Sequence, residues 1–149
     1  SMDKDDLLKL DNQLCFAIYA CAKEITGLYR PFLDELGLTY TQYIALLALW
    51  EQDDITLKKL GERLFLDSGT LTPLLKKMEA AGLIYRERSK EDERNLRIRL
   101  TDKGRALKQD ACEIPQKAFC ASQLSTEEAV FLRNQLRQML VKLSTGKCP

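Results

Sequence analysis

The sequence contains no histidine among its 149 residues. That removes the general base of Ser-His-Asp and Cys-His nucleophile systems and a principal ligand of zinc. The five cysteines, at positions 15, 21, 112, 120 and 148, include no C-x-x-C pair. A thiolate-only zinc site therefore lacks its usual ligand spacing, and neither metal nor cofactor is expected. Neither G-x-G-x-x-G nor G-x-x-x-x-G-K-[ST] occurs, so both loops that cradle nucleotide phosphates are missing. The longest apolar run, IALLALW at 44–50, falls well short of the roughly 20 residues that span a bilayer. The stretch SMDKDDLLKL lacks the basic and apolar regions of a secretory signal. These absences point away from an enzyme or a membrane protein and toward a cytoplasmic one, where thiols are kept reduced.

What is present is a composition of 45% hydrophobic and 30% charged residues, enough for one compact domain over 1–149. The net charge of +1 hides an asymmetry. Residues 56–105 carry 13 Lys and Arg against 8 Asp and Glu, whereas the rest of the chain carries 10 against 14. A polyanion is the natural partner of that central segment.

Apolar residues at 7, 10, 14, 18, 21 and 25 trace the stripe of one long amphipathic helix over 5–30, interrupted by Pro31. After a turn at Gly37, Thr39 and Gln42 form a capping box that opens a helix through Trp50, closed by QDD. Thr56 is placed to cap LKKLGERL. In SGTLTPLLKKMEAAGLI, Ser68 is the expected N-cap and Gly82 the C-terminal stop, with Pro73 placing the cap within a few residues of Ser68. LIYRER and NLRIRL alternate apolar and charged residues around SKEDER, which predicts a hairpin. Thr101 caps a helix through Ala111, IPQ breaks the chain, and the capping box Ser125 to Glu128 opens a last helix to about Leu143.

Short helix, turn, longer helix and basic hairpin is the order of a winged helix-turn-helix, so the fold expected is mainly α with a small β wing. Small polar residues at the start of the second helix, Ser68, Gly69, Thr70 and Thr72, let its backbone approach base edges in the major groove. Lys76 and Lys77 follow on the same helix within reach of phosphates. The hairpin adds Arg86, Arg88, Lys90 and Arg94, with Arg97 and Arg99 behind them; an arginine at the tip, Arg94, suits a narrow minor groove. Taken singly, the hydroxyls would only cap a helix and the arginines would only solvate a face.

The block from Leu38 to Gly104 resembles the MarR family of winged-helix repressors through LDSGTLTPLLKKMEAAGLI, SKEDERN and LTDKGRAL. DNQLCFAIYA and LTYTQYIALLALWE resemble its organic-hydroperoxide-sensing OhrR-type subgroup. The resemblance implies a homodimer held by helices in 5–36 and 102–145, with the winged helix-turn-helix at 38–101. It implies a near-palindromic double-stranded operator whose half-sites lie about 34 Å apart. It also implies release of that DNA when organic hydroperoxide oxidises a thiol at the position of Cys15.

From spacing alone Cys15 reads as a small core hydrophobe, the usual fate of an unpaired cysteine. Tyr19, at i+4, brings a phenolic O–H to the same helix face. The subgroup implies that Tyr29 and Tyr40 bind the thiol from across the dimer interface. It also implies a resolving thiol on the other subunit, near the end of the penultimate helix, where Cys120 stands. Cys112 and a small-molecule thiol remain alternatives, and Cys21 lies on a different helix face. Two other functions compete: a MarR-type repressor released by a small phenolic ligand, and a thiol peroxidase. The second suffers from having no histidine and no arginine near Cys15 in the sequence.

Overall fold

The computed structural model describes residues 3–88, 91 and 96–146, in two compact units, Ser1–Ile114 and Pro115–Pro149. The first begins with α1 (Lys4–Leu7), capped by Asp3, and a 3-10 turn at Leu10–Asn12. Then come α2 (Leu14–Gly27), α3 (Arg30–Asp34) and α4 (Tyr40–Glu51). The single helix expected over 5–30 is therefore broken before Leu14. The cause is two amide side chains: Asn12 Nδ2 donates to the Asp6 carbonyl, and Gln13 Nε2 donates to those of Leu7 and Lys9. They satisfy carbonyls that a continuing helix would have used, so the chain turns and starts again.

The reading head follows the expected order. β1 (Ile55–Thr56) leads into α5 (Leu57–Leu64), capped by Thr56, and then α6 (Ser68–Ala80), β2 (Ile84–Arg88), β3 (Leu96–Leu100) and α7 (Asp102–Ala111), capped by Thr101. The antiparallel sheet runs β1-β3-β2, with Ile98 opposite both Ile55 and Arg86. β1 was not foreseen, because two residues form a strand only when a distant partner supplies the ladder. Leu71, Leu75 and Met78 of α6 are buried with Leu46 and Leu49 of α4, Leu60 of α5, and Ile84, Ile98 and Leu100 of the sheet. Gly82, at φ +75, ends α6: its N–H donates to the Glu79 carbonyl and that of Leu83 to Met78. This is the left-handed stop that glycine makes inexpensive.

The second unit corrects another expectation. IPQ does not break the chain but opens α8 (Ile114–Ser122), in which Pro115 takes the second helical position. There its missing N–H is no loss. α9 (Thr126–Thr145) starts at the expected capping box. Among the described residues, no helix is long and apolar enough to cross a membrane, and no group of metal-ligating side chains could hold an ion.

Candidate DNA interface and thiol site

The N-cap of α6 is Asp67, not Ser68: its Oδ1 accepts the Thr70 N–H at 2.8 Å. The Thr70 backbone N–H first, and then the Thr70 side chain, hold the Asp67 carboxyl below its ordinary range. Ser68 becomes the first helical residue, its hydroxyl released from the capping role. Ser68, Gly69, Thr70, Lys76 and Lys77 are exposed and Thr72 is half-buried, so one helix end presents small polar groups with two lysines behind them. Pro73 lies inside α6 and has no N–H to offer the carbonyl of Gly69.

Much of the hairpin charge is spoken for within the chain. Arg86 Nε lies 3.2 Å from Glu79, which also accepts the Arg86 backbone N–H. Arg97 pairs with Asp54 at 2.9 Å and Arg99 with Glu87 at 2.7 Å, and Arg99 also lies over the Tyr85 ring. Arg86 thus braces the base of the wing against α6, a role that a charge count does not reveal. Arg88 is exposed at the end of β2. Lys90 and Arg94 lie outside the described residues.

Cys15 occupies the second position of α2 and is exposed. Gln13 leaves the first turn without a side-chain cap, because its amide is engaged with α1. Cys15 thus stands in the first turn of a helix rather than in the middle of an unbroken 5–30 helix. The NQ before LCF thereby acquires a physical meaning, since these amides end α1 and place the cysteine at a new helix start. Tyr19, one turn on, is 65% exposed.

Tyr29 and Tyr40 do meet, with ring centroids 5.2 Å apart and edge to face, and Tyr43 joins them at 5.8 and 6.2 Å. Tyr43 was missed by the sequence reading; its only signal was position i+3 from Tyr40 on α4. Among the described residues, no ring contact or hydrogen bond joins Cys15 or Tyr19 to this cluster within one chain. Burial raises the Tyr40 phenol, helped by Tyr29. Burial first, then Tyr29 and Tyr40, pushes Tyr43 from 10.0 up to about 12. These two phenols therefore remain neutral O–H donors throughout the physiological range. An unfolded Tyr43 ionises near 10 and the folded one near 12, so this contribution to stability is intact below pH 10 and is lost between pH 10 and 12. Denaturant midpoints from pH 9 to 12 are expected to fall more steeply for wild type than for Tyr43→Phe; parallel curves would exclude this origin.

Cys120 is exposed on α8, with Gln116 Nε2 3.7 Å from its sulfur, and Cys112 is exposed at the end of α7. The apolar stripe of the N-terminal segment is not buried by the chain itself: Leu7, Leu10 and Leu14 are 57%, 59% and 67% exposed. α9 likewise buries none of its residues and exposes Phe131, Leu136, Val141 and Leu143.

The family model described as transcriptional regulator SarA/Rot matches residues 27–111. An organic hydroperoxide resistance transcriptional regulator of Bacillus subtilis (strain 168) is 51% identical over 141 residues, covering 95% of this chain and 96% of its own. Among solved structures, reduced AbfR bound to DNA matches with a TM-score of 0.76 at 38% identity, over 95% of this chain and 99% of that one; AbfR is from Staphylococcus epidermidis. Disulfide-formed AbfR matches with a TM-score of 0.65 at 38% identity, over 94% and 96%.

Proposed function

Since the chain belongs to the SarA/Rot transcriptional regulators of MarR type, we propose that it is a homodimeric repressor that leaves a near-palindromic operator when organic hydroperoxide oxidises Cys15. The observation that carries this reading is a relative, 38% identical over almost the whole chain, solved both reduced on DNA and in a disulfide form. In the proposed dimer, segments 5–36 and 102–145 supply the interface and 38–101 the reading heads. An N-terminal segment and a last helix that leave large apolar side chains in water when the chain is alone support such an interface. Ser68, Gly69, Thr70 and Thr72 read base edges, while Lys76, Lys77, Arg88, Lys90 and Arg94 meet phosphates or the minor groove. Arg86 holds the wing's base.

The Cys15 thiolate attacks the terminal peroxide oxygen. The O–O bond breaks, the alkoxide leaves and takes a proton as an alcohol, and the sulfur becomes a sulfenic acid. Tyr19 from the same helix, with Tyr29 and Tyr40 of the partner subunit, donates hydrogen bonds to the sulfur. Their rings leave an apolar rim suited to an alkyl peroxide. The Cys120 thiol of the other subunit then displaces hydroxide, which leaves as water, and an intersubunit disulfide forms once the Cα atoms come within about 7 Å. The bond draws the interface helices, and with them the reading heads, away from the spacing of two successive major grooves. The setting is cytoplasmic, and each event converts two thiols into one disulfide without the continuous re-reduction that peroxidase turnover requires.

Non-reducing electrophoresis after cumene hydroperoxide tests the covalent step. A dimer band is expected from wild type, absent from Cys15→Ser and from Cys120→Ser and retained by Cys112→Ser. A band that survives in Cys120→Ser but not in Cys112→Ser would reassign the resolving thiol.

A further inference from the structure

We propose that the corner between α4 and β1, built on Trp50, Asp53 and Asp54, sets the angle between the wing and α7 and so delivers the movement of the interface helices to the DNA-reading hairpin. The inference rests on the redox-released repressor proposed above.

β3 ends at Leu100 and α7 begins at Asp102, so Thr101 alone connects strand to helix. The corner braces that joint from both sides. On the strand side, Asp53 Oδ1 accepts the Leu100 N–H at 2.8 Å, and Asp54 Oδ1 accepts Arg97 Nε at 2.9 Å. On the helix side, Asp53 Oδ2 accepts from Arg105 at 3.2 Å, and Trp50 Nε1 donates to the Gly104 carbonyl at 2.9 Å. One carboxylate, that of Asp53, therefore holds the last residue of the wing and the first turn of α7 together. Asp54 adopts a left-handed backbone, φ 56, although it is not glycine. Such a conformation persists where its surroundings over-determine it.

Energy alone does not account for this arrangement. The ion-paired side chains are a third to a half exposed: 33% for Asp53 and 52% for Arg105, 53% for Asp54 and 43% for Arg97. Exposed pairs contribute little to stability. Their value is geometric, because they make strand and helix move as one body. With the brace cut, Thr101 still caps α7 and donates to the Gly82 carbonyl, so each half keeps its fold while the angle between them loosens. Asp53, Asp54 and Trp50 are thus positioning residues for the redox response, distinct from the groups that touch DNA or peroxide.

The test uses a duplex selected from a random-sequence pool by the reduced wild-type protein. The dissociation constant is measured for wild type, Asp53→Asn and Trp50→Phe, reduced and after cumene hydroperoxide, at one ionic strength. Asp53→Asn keeps an oxygen for the Leu100 N–H but loses the charge facing Arg105. Trp50→Phe removes one hydrogen-bond donor and keeps an aromatic ring, so it decides the matter should the first variant misfold. The oxidised-to-reduced ratio is expected to shrink by about two- to thirtyfold in each variant. Variants that keep the wild-type ratio, whatever their reduced affinity, would overturn the proposal and leave the corner a part of the fold only. A wild-type ratio of one would remove the redox reading itself, and the proposal with it.

Discussion

With serine at position 15, the repressor is expected to stay on its DNA after cumene hydroperoxide as firmly as the reduced wild type does. The substitution replaces one atom, so the start of α2 and its exposed position are kept. What is lost is the only sulfur that the proposed sequence of steps allows to accept oxygen first. A serine hydroxyl does not attack peroxide, no sulfenic acid forms, and Cys120 has nothing to condense with. The effect is large because a switch that takes occupancy from 99:1 to 1:99 must distinguish the two states by about 5.5 kcal/mol, and Cys15→Ser removes that term entirely. Gel-shift titrations of oxidised and reduced Cys15→Ser should superimpose. Release of the variant by peroxide would move the sensor elsewhere; insensitivity of wild type and variant alike, with release by a phenolic compound, would favour the ligand-controlled repressor.

The largest structural effect is expected at Gly104. It sits in the first turn of α7 against the carbonyl of Leu83, and an added Cβ would overlap that oxygen and crowd Leu100. The oxygen has no room to yield without cost, since it accepts the Thr101 N–H at 3.1 Å. Gly104 itself donates to the Thr101 hydroxyl and offers its carbonyl to Trp50. Overpacking costs about 1–3 kcal/mol, and straining the buried backbone bond adds about 1–3 more. Gly104→Ala should therefore lower stability by about 3 kcal/mol or more, a large fraction of a typical domain's 5–15. Gly27→Ala is the control: nothing lies within 4 Å of a Cβ there, and alanine in a helix is favoured by up to about 1 kcal/mol. Urea midpoints separate the two, and a Gly104→Ala midpoint equal to wild type would refute the close packing of α7 on Leu83 and on Leu100 of β3.

Features settled within four residues were legible in the sequence. The capping boxes at Thr39 and Ser125, the caps Thr56 and Thr101, and the stop at Gly82 all lie where expected, because each pairs a short side chain or a glycine with its own helix end. What failed depended on partners farther away or on competition. The stripe through Leu7, Leu10 and Leu14 continues across a point where Asn12 and Gln13 end the helix, and periodicity does not weigh an amide against a carbonyl. It signals a need for burial without saying against what, and these leucines find no cover in their own chain. Asp67 displaced Ser68 as cap, since a carboxylate competes well for free N–H groups. Pro115 looked like a breaker because its rank among helical positions is visible only once the helix start is known. At the candidate site, the hydroxyl-rich start of α6 was legible. The pairing of Arg86 with Glu79 and the entry of Tyr43 into the phenol cluster were not, because both are set by tertiary packing.

The most direct measurement is the affinity of the wild-type dimer for one selected duplex, before and after stoichiometric cumene hydroperoxide, at a fixed salt concentration because phosphate contacts make affinity strongly salt-dependent. Loss of binding on oxidation, restored by a dithiol reductant, is the predicted result. Equal affinity of the two forms would contradict it.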